Sequence, residues 1–136
     1  MAELKHEDVT NSIIKAFYHV YNTLGYGFLE KVYENALALE LRYAHCNVAT
    51  QKPISVWYRG VVVGEYYADM IVDDCVIVEM KCSISISPAH EAQLVNYLKA
   101  TGMEVGLLLN YGPKPEFKRK IFSRSDSNHT SIAYPR

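Results

Sequence analysis

Three residues in the middle of the chain have the types and spacing of a hydrolytic site. Glu79 and Lys81 stand one residue apart in an apolar run, and Asp69 precedes that run. Because side chains alternate across a strand, Glu79 and Lys81 are expected on one face, with Asp69 at the end of the preceding strand, across a hairpin. Two carboxylates are hard ligands for Mg²⁺ or Mn²⁺, and a nearby lysine can position a water or stabilise charge on a phosphate. The three residues therefore predict phosphodiester hydrolysis.

Two other interpretations of Glu79 and Lys81 involve no chemistry. The residues could form a buried ion pair, and removing one partner of such a pair costs about 3–5 kcal/mol. They could also be a solvent-exposed pair on an edge strand. A destabilised Glu79→Gln variant, measured without metal, would support the buried pair, because the removal of a functional acid relieves repulsion instead.

Two helices open the chain. Apolar residues at helical spacing predict a first helix over about residues 6–24, and Gly25 is a suitable stop. A second helix, rich in Leu, Ala and Glu, is predicted over about residues 28–44. Both should pack on a sheet formed by the rest of the chain.

Three strands follow the helices, with turns predicted at residues 59–60 and 73–74. Because the connections are short, the three strands should be consecutive antiparallel neighbours. Pro53 indicates that the first of them is an edge or irregular strand.

A helix and another strand complete the predicted core. Ser87 is a plausible N-cap, Pro88 occupies the first helical position, and Gly102 marks the end of the helix. The apolar run that follows predicts a fourth strand, reached by a right-handed parallel crossover. Residues 116–124 predict a fifth strand. The expected fold is α/β (α+β mixed): a mixed four- to five-stranded sheet flanked by helices.

Two further motifs accompany the acid, spacer and ExK arrangement. Gln93 and Tyr97 stand four residues apart on the predicted third helix and match a QxxxY motif, while Gly27, Glu30 and Tyr33 match GxxExxY. Together these motifs resemble the GxxExxY family of the PD-(D/E)xK nuclease superfamily, over about residues 8–122. The resemblance implies a restriction-endonuclease-like core and a nuclease that hydrolyses DNA with Mg²⁺ or Mn²⁺.

The resemblance also implies the roles of the site residues. Asp69 and Glu79 would ligate the metal, with Glu30 matching the acid that superfamily members carry on the first core helix. Lys81 would assist the attacking water. The remaining pair, Gln93 and Tyr97, would orient the lysine and the substrate phosphate. One departure is Ala68, which stands where the motif has proline, a position that varies in the superfamily.

Several other residues could contribute, although ordinary structural roles are the default expectation for each. Glu34 shares a helix face with Glu30 and is expected to face solvent. His90, near the start of the third helix, could approach phosphate or metal, but a single histidine more often lies at the surface or packs. Tyrosines such as Tyr66 and Tyr67 could stack on bases, while most should complete the sheet and its helices.

Basic residues cluster late in the chain, although the formal net charge is only −1. That charge argues against a protein that simply coats nucleic acid, but not against a nuclease, whose acidic site offsets its basic rim. The cluster predicts either a solvated surface or a nucleic-acid-binding strip that contacts phosphates, formed by Lys114, Lys118, Arg119 and Lys120.

A length of 136 residues favours one domain. We expect that domain over residues 1–124, a flexible tail over residues 125–136, and a cytoplasmic location, because no run is apolar and long enough to cross a membrane. The sequence does not show whether the substrate is single- or double-stranded, whether cleavage is endo- or exonucleolytic, or whether the protein forms a homodimer. A catalytically silent nuclease-fold module that binds nucleic acid or a protein is the alternative to an active nuclease.

Overall fold

The two predicted helices are present in the computed structural model, which describes residues 5–123 and 132–133. Helix α1 spans Glu7–Leu24 and helix α2 spans Glu30–Tyr43. Helix α1 ends at Gly25, whose φ of 71° lies in the left-handed region that glycine tolerates. The hydroxyl of Tyr33 donates to the Gly25 carbonyl at 2.6 Å, and so Tyr33 fixes the loop that joins the helices.

The sheet contains five long strands and one strand of two residues. Its order is β5-β4-β3-β2-β1-β6. Strands β1, β2 and β3 are antiparallel neighbours and β3 and β4 are parallel, as predicted. Strand β5 pairs antiparallel with β4. The strands are β1 (Val48–Tyr58), β2 (Val61–Val72), β3 (Val76–Lys81), β4 (Val105–Tyr111), β5 (Pro115–Ile121) and β6 (Ile132–Ala133).

The parallel pair β3 and β4 is joined by helix α3, which spans Pro88–Thr101. Ser87 caps the helix by accepting from the His90 N–H, and His90 in turn accepts from the Ser87 N–H through Nδ1. His90 is therefore a capping residue here. Helix α3 ends before Gly102, which has a φ of 76°.

Helices cover the sheet on both faces. Alternate residues of β3 point to opposite faces of the sheet. Val78 and Met80 pack with α1 and α2. Ile77 lies on the other face and packs with Leu94 and Leu98 of α3. Since Glu79 and Lys81 have the same parity as Ile77, they emerge on the α3 side, at the carboxyl end of the β3–β4 parallel pair.

The prediction for residues 125–136 falls largely outside the described residues. The described pair, residues 132–133, adds strand β6 to the far end of β1, where Trp57 and Tyr58 are its partners. The rest of β1 has no strand on that side among the described residues, which agrees with the edge position predicted from Pro53. None of the described helices combines the length and apolar character needed to cross a membrane.

Candidate active site

The two predicted metal-binding carboxylates meet where strands β2 and β3 separate. The ladder between these strands runs from Val72↔Val76 to Met70↔Val78. Beyond it, the Asp69 N–H donates to Oε2 of Glu79 at 2.8 Å, and the Met80 N–H donates to Oδ2 of Asp69 at 2.8 Å. Side-chain carboxylates thus replace backbone carbonyls as acceptors. Asp69 lies inside β2, three residues before its end, and not at the end as expected.

Both carboxyls have raised pKa values. Burial, followed by the charge of Asp69, raises the pKa of Glu79 to about 8, although the Asp69 N–H and Lys81 favour the ionised form. Burial also raises the pKa of Asp69, with a contribution from the charge of Glu34, against the hydrogen bond from Met80. Two neighbouring carboxyls that resist ionisation together are a suitable place for a proton or a cation.

Lys81 lies beside this pair, half-buried at the end of β3. Its charge lowers the pKa of both Glu79 and Asp69, but Glu79 and Lys81 do not form an ion pair among the described residues. Glu79 is only 5% exposed and β3 is an interior strand. The two interpretations without chemistry, a buried ion pair and an exposed edge pair, are therefore both wrong.

Glu34 does not face solvent, which corrects the expectation from sequence. Its side chain is 5% exposed and accepts from Lys31 Nζ at 2.8 Å and from Gln51 Nε2 at 2.9 Å. A hydrogen bond from Gln51 also lowers the pKa of Asp69. Glu34 and Gln51 thus connect helix α2 and strand β1 to the carboxylate pair.

Gln51 is a site residue that sequence reasoning missed. It has a φ of 52°, in the left-handed region, in the middle of β1. Its neighbours Thr50 and Lys52 pair with Met70 and Ala68, which places Gln51 opposite Asp69. A glutamine in a strand-like run carries no sequence signal for this conformation, since left-handed backbone is usually announced by Gly, Asn or Asp.

Glu30, the third predicted acid, is the first residue of helix α2. It is exposed, and its charge raises the pKa of Glu79 and also that of Cys82, just after β3. The amino end of α2 therefore faces the carboxylate pair. Among the hydrogen bonds of the described residues, Glu30 has no side-chain bond to that pair.

Gln93 and Tyr97 line a groove of about 500 Å³ between helix α3 and the β1–β2 hairpin. Burial, followed by the charges of Glu79 and Asp69, raises the pKa of Tyr97 to about 12. Tyr97 therefore stands between the groove and the carboxylate pair and is protonated at neutral pH. Its ring packs against Tyr66, with centroids 5.7 Å apart.

The chain after Lys81 is clamped to strand β4. The buried Asn110 accepts from the Ser83 N–H at 2.9 Å and donates from Nδ2 to the Ser83 carbonyl at 2.9 Å. A Cβ on Gly112 would lie 1.9 Å from that same carbonyl oxygen. Asn110 and Gly112 together set the path of the crossover as it leaves the site.

The structure does not bring the four late basic residues into one strip. Lys120 forms an ion pair with Glu91 of α3, and the hydrogen bond from Lys120, followed by the charges of Lys120 and Lys118, lowers the pKa of Glu91. Arg119 has the opposite parity on β5, and its guanidinium donates to the carbonyl of Lys5. The fourth residue, Lys114, lies exposed in the connection before β5.

The carboxylate pair fits a divalent cation that keeps much of its water. Within residues 5–123, no group of three His, Cys, Asp or Glu side chains is placed to hold a metal ion. Mg²⁺ sites often use one or two carboxylates, with waters and substrate phosphates filling the remaining positions. Asp69 and Glu79 match that donor set, because a cation would offset both their burial and their mutual repulsion.

Comparisons with known proteins show the fold and the superfamily of this chain. A crystal structure of a protein called SSO0001 superposes with a TM-score of 0.54 and 18% identity, over 88% of this chain and 59% of that chain. The present chain thus spans less than two thirds of SSO0001, and at this identity the similarity shows the fold alone. No curated protein matches the sequence. The model of the PD-(D/E)XK nuclease superfamily matches residues 7–120, and the chain therefore belongs to that superfamily.

Proposed function

We propose that this protein is a Mg²⁺- or Mn²⁺-dependent nuclease of the GxxExxY type that hydrolyses phosphodiester bonds in DNA. The observation that carries the proposal is the Asp69–Glu79 pair, in which the half-buried carboxyl of Asp69 and the buried carboxyl of Glu79, both with raised pKa values, lie side by side next to Lys81. Superfamily membership supports nuclease chemistry at this place.

In this proposal Asp69 and Glu79 would hold the metal directly, and Glu30, at the start of α2, would contribute through water. The metal, when bound, polarises the phosphate and lowers the pKa of a bound water. Lys81 positions the attacking water and stabilises negative charge on the phosphate. The backbone N–H groups of Asp69 and Met80 hold one oxygen of each carboxylate in place, so that the pair is preorganised.

Helix α3 and the basic residues complete the proposed substrate site. Gln93 and Tyr97 orient Lys81 and the phosphate, and the protonated Tyr97 hydroxyl can donate a hydrogen bond. The side chains of Lys118 and Lys120, which share the α3 face of the sheet, contact phosphates further along the strand.

The test is cleavage of labelled single- and double-stranded DNA with Mg²⁺ or Mn²⁺, using Asp69→Ala and Lys81→Ala. Asp74→Asn is the control, since it removes an exposed carboxylate from the turn of the same hairpin and asparagine tolerates the left-handed φ of 55° there. Asp69→Ala and Lys81→Ala should each reduce cleavage by about 10²-fold or more, and Asp74→Asn should not. Cleavage that survives both site substitutions unaltered would show the assignment to be wrong.

The alternative function is a nuclease-fold module that binds nucleic acid or a protein without hydrolysis. It is favoured by the absence of a third carboxylate, histidine or cysteine ligand beside the pair within residues 5–123. Calorimetry with Mn²⁺ separates the two. Retained binding of DNA or protein, with neither metal binding nor cleavage, would select the module.

A further inference from the structure

The groove beside Tyr97 has a composition that sets it apart from the carboxylate pair. It lies between helix α3 and the β1–β2 hairpin and has a volume of about 500 Å³. Among residues 5–123, none of those that line the groove is charged. A single face of α3 contributes small residues such as Ala92 and two side-chain amides, Gln93 and Asn96, while the hairpin contributes Val56 and Tyr66.

The groove joins the proposed active site through Tyr97. The Tyr97 side chain is in the lining of the groove and is also close enough to Glu79 and Asp69 to respond to their charges. On the other side, its ring tilts by 45° against Tyr66. Tyr66 is 47% exposed, so part of its ring is open to a ligand.

The lining of the groove favours an uncharged aromatic ligand over a phosphate. A phosphate would require cations or several donors, and the described part of the chain places no charged side chain in the lining of the groove. An uncharged planar ring with hydrogen-bonding edges matches apolar walls, a tyrosine ring and two amides, because aromatic side chains stack on bases and amides recognise their edges. The volume is also in the range of small-molecule sites, about 300–1,000 Å³.

We infer that this groove is a subsite for one unpaired nucleobase of the strand whose phosphate lies at Asp69 and Glu79. The inference rests on the proposed function and narrows it. A base inside a duplex is paired and stacked, and its extrusion is energetically unfavourable, so the substrate is a single strand or a frayed end. Because DNA and RNA carry similar bases, the groove does not by itself select between them, and the experiment compares the two.

The experiment measures equilibrium binding of a fluorescein-labelled 12-nucleotide single strand, as DNA and as RNA, with Ca²⁺ in place of Mg²⁺. The variants are Tyr66→Ala and its matched control Tyr67→Ala. Tyr67 is 58% exposed and adjacent on β2, and it is not among the residues that line the groove. We expect Tyr66→Ala to weaken binding by about tenfold and Tyr67→Ala by less than twofold, because stacking of one base on one aromatic ring is lost.

Two further variants guard against loss of structure. Tyr66→Phe keeps the ring and should bind within about twofold of wild type, and Ala92→Leu fills the groove from α3 and should weaken binding as Tyr66→Ala does. Circular dichroism checks that each variant is folded. Blunt duplex of the same sequence should bind more weakly than the single strand, and its affinity should be independent of Tyr66.

The outcomes separate this inference from the nuclease proposal. Equal effects of Tyr66→Ala and Tyr67→Ala, duplex binding that depends on Tyr66, or no binding of single strands overturns the base subsite, even if cleavage needs Asp69. A selective Tyr66 effect without any metal-dependent cleavage supports the subsite and overturns the nuclease. If Tyr66→Ala weakens the binding of only the RNA strand or only the DNA strand, the result supports the subsite and identifies which nucleic acid it binds.

Discussion

The Asp69 N–H donates to Oε2 of Glu79 at 2.8 Å, at the point where the ladder between β2 and β3 has ended. In an antiparallel pair this N–H would be expected to bond to a backbone carbonyl. The carboxylate substitutes for that carbonyl, and so the two strands separate without leaving the buried N–H unsatisfied.

The Glu79→Gln variant should be more stable than wild type in EDTA at pH 8. The pKa of Glu79 rises from an ordinary 4.5 to about 8 in the folded protein. Between these two values the unfolded chain releases a proton that the folded chain retains, so wild-type stability falls as pH rises through this window. Glutamine carries no such proton and can still accept from the Asp69 N–H, so the gain at pH 8 should be on the order of a few kcal/mol.

Thermal unfolding of the two proteins between pH 4 and pH 9 tests this expectation. The difference in free energy of unfolding should be small at pH 4, should grow with pH, and should level off above about pH 8. A Glu79→Gln protein that is less stable than wild type at every pH would mean that the ionised carboxylate stabilises the fold.

Metal affinity should depend steeply on pH. Glu79 must lose its proton to ligate a cation, and below its pKa of about 8 that proton competes with the metal. The affinity for Mn²⁺ should therefore fall by up to about tenfold for each pH unit below 8, and binding should release up to one proton from Glu79 to the buffer. Isothermal titration calorimetry at pH 6, 7 and 8, in buffers of different ionisation enthalpy, measures both quantities. An affinity that is unchanged from pH 6 to 8 would contradict metal ligation by Glu79.

Substitutions of Gln51 should separate backbone strain from the role of its amide. Both Gln51→Gly and Gln51→Ala remove the bond from Nε2 to Glu34, but only glycine relaxes a backbone with a φ of 52°. Gln51→Gly should be about 1 kcal/mol more stable than Gln51→Ala in urea unfolding. If the amide positions Asp69, the two variants should lose DNA cleavage to the same extent. Equal stability of the two would show that this backbone conformation is not strained.

Gly112→Ala should be among the most damaging single substitutions in the chain. The added Cβ would lie 1.9 Å from the Ser83 carbonyl oxygen, which also accepts from Asn110, so backbone must move. We expect a loss of roughly 3 kcal/mol in the free energy of unfolding, measured in urea. Gly64→Ala is the matched control in a strand, where the nearest atom is 3.4 Å away, on the Tyr66 ring. Similar losses in both variants would exclude the Ser83 clash as the cause.

The sequence by itself determined the elements and the chemical character of the site. Apolar periodicity and terminal signals placed helix α3 between Pro88 and Gly102 and the crossover after it, because helix caps and strand alternation depend on neighbouring residues. The one-residue spacing of Glu79 and Lys81 in an apolar run predicted a candidate site, because side chains two residues apart on a strand share a face.

Only the tertiary structure decided which side chains support that site. The burial of Glu34 and its bond to Gln51 join residues 17 apart in the chain, across a helix and a strand. Gln51 has a left-handed backbone at the position in β1 that lies opposite Asp69, and the parity of Arg119 on β5 turns it away from Lys120. These features depend on strand register and on partners distant in the chain, which residue type and local spacing do not encode.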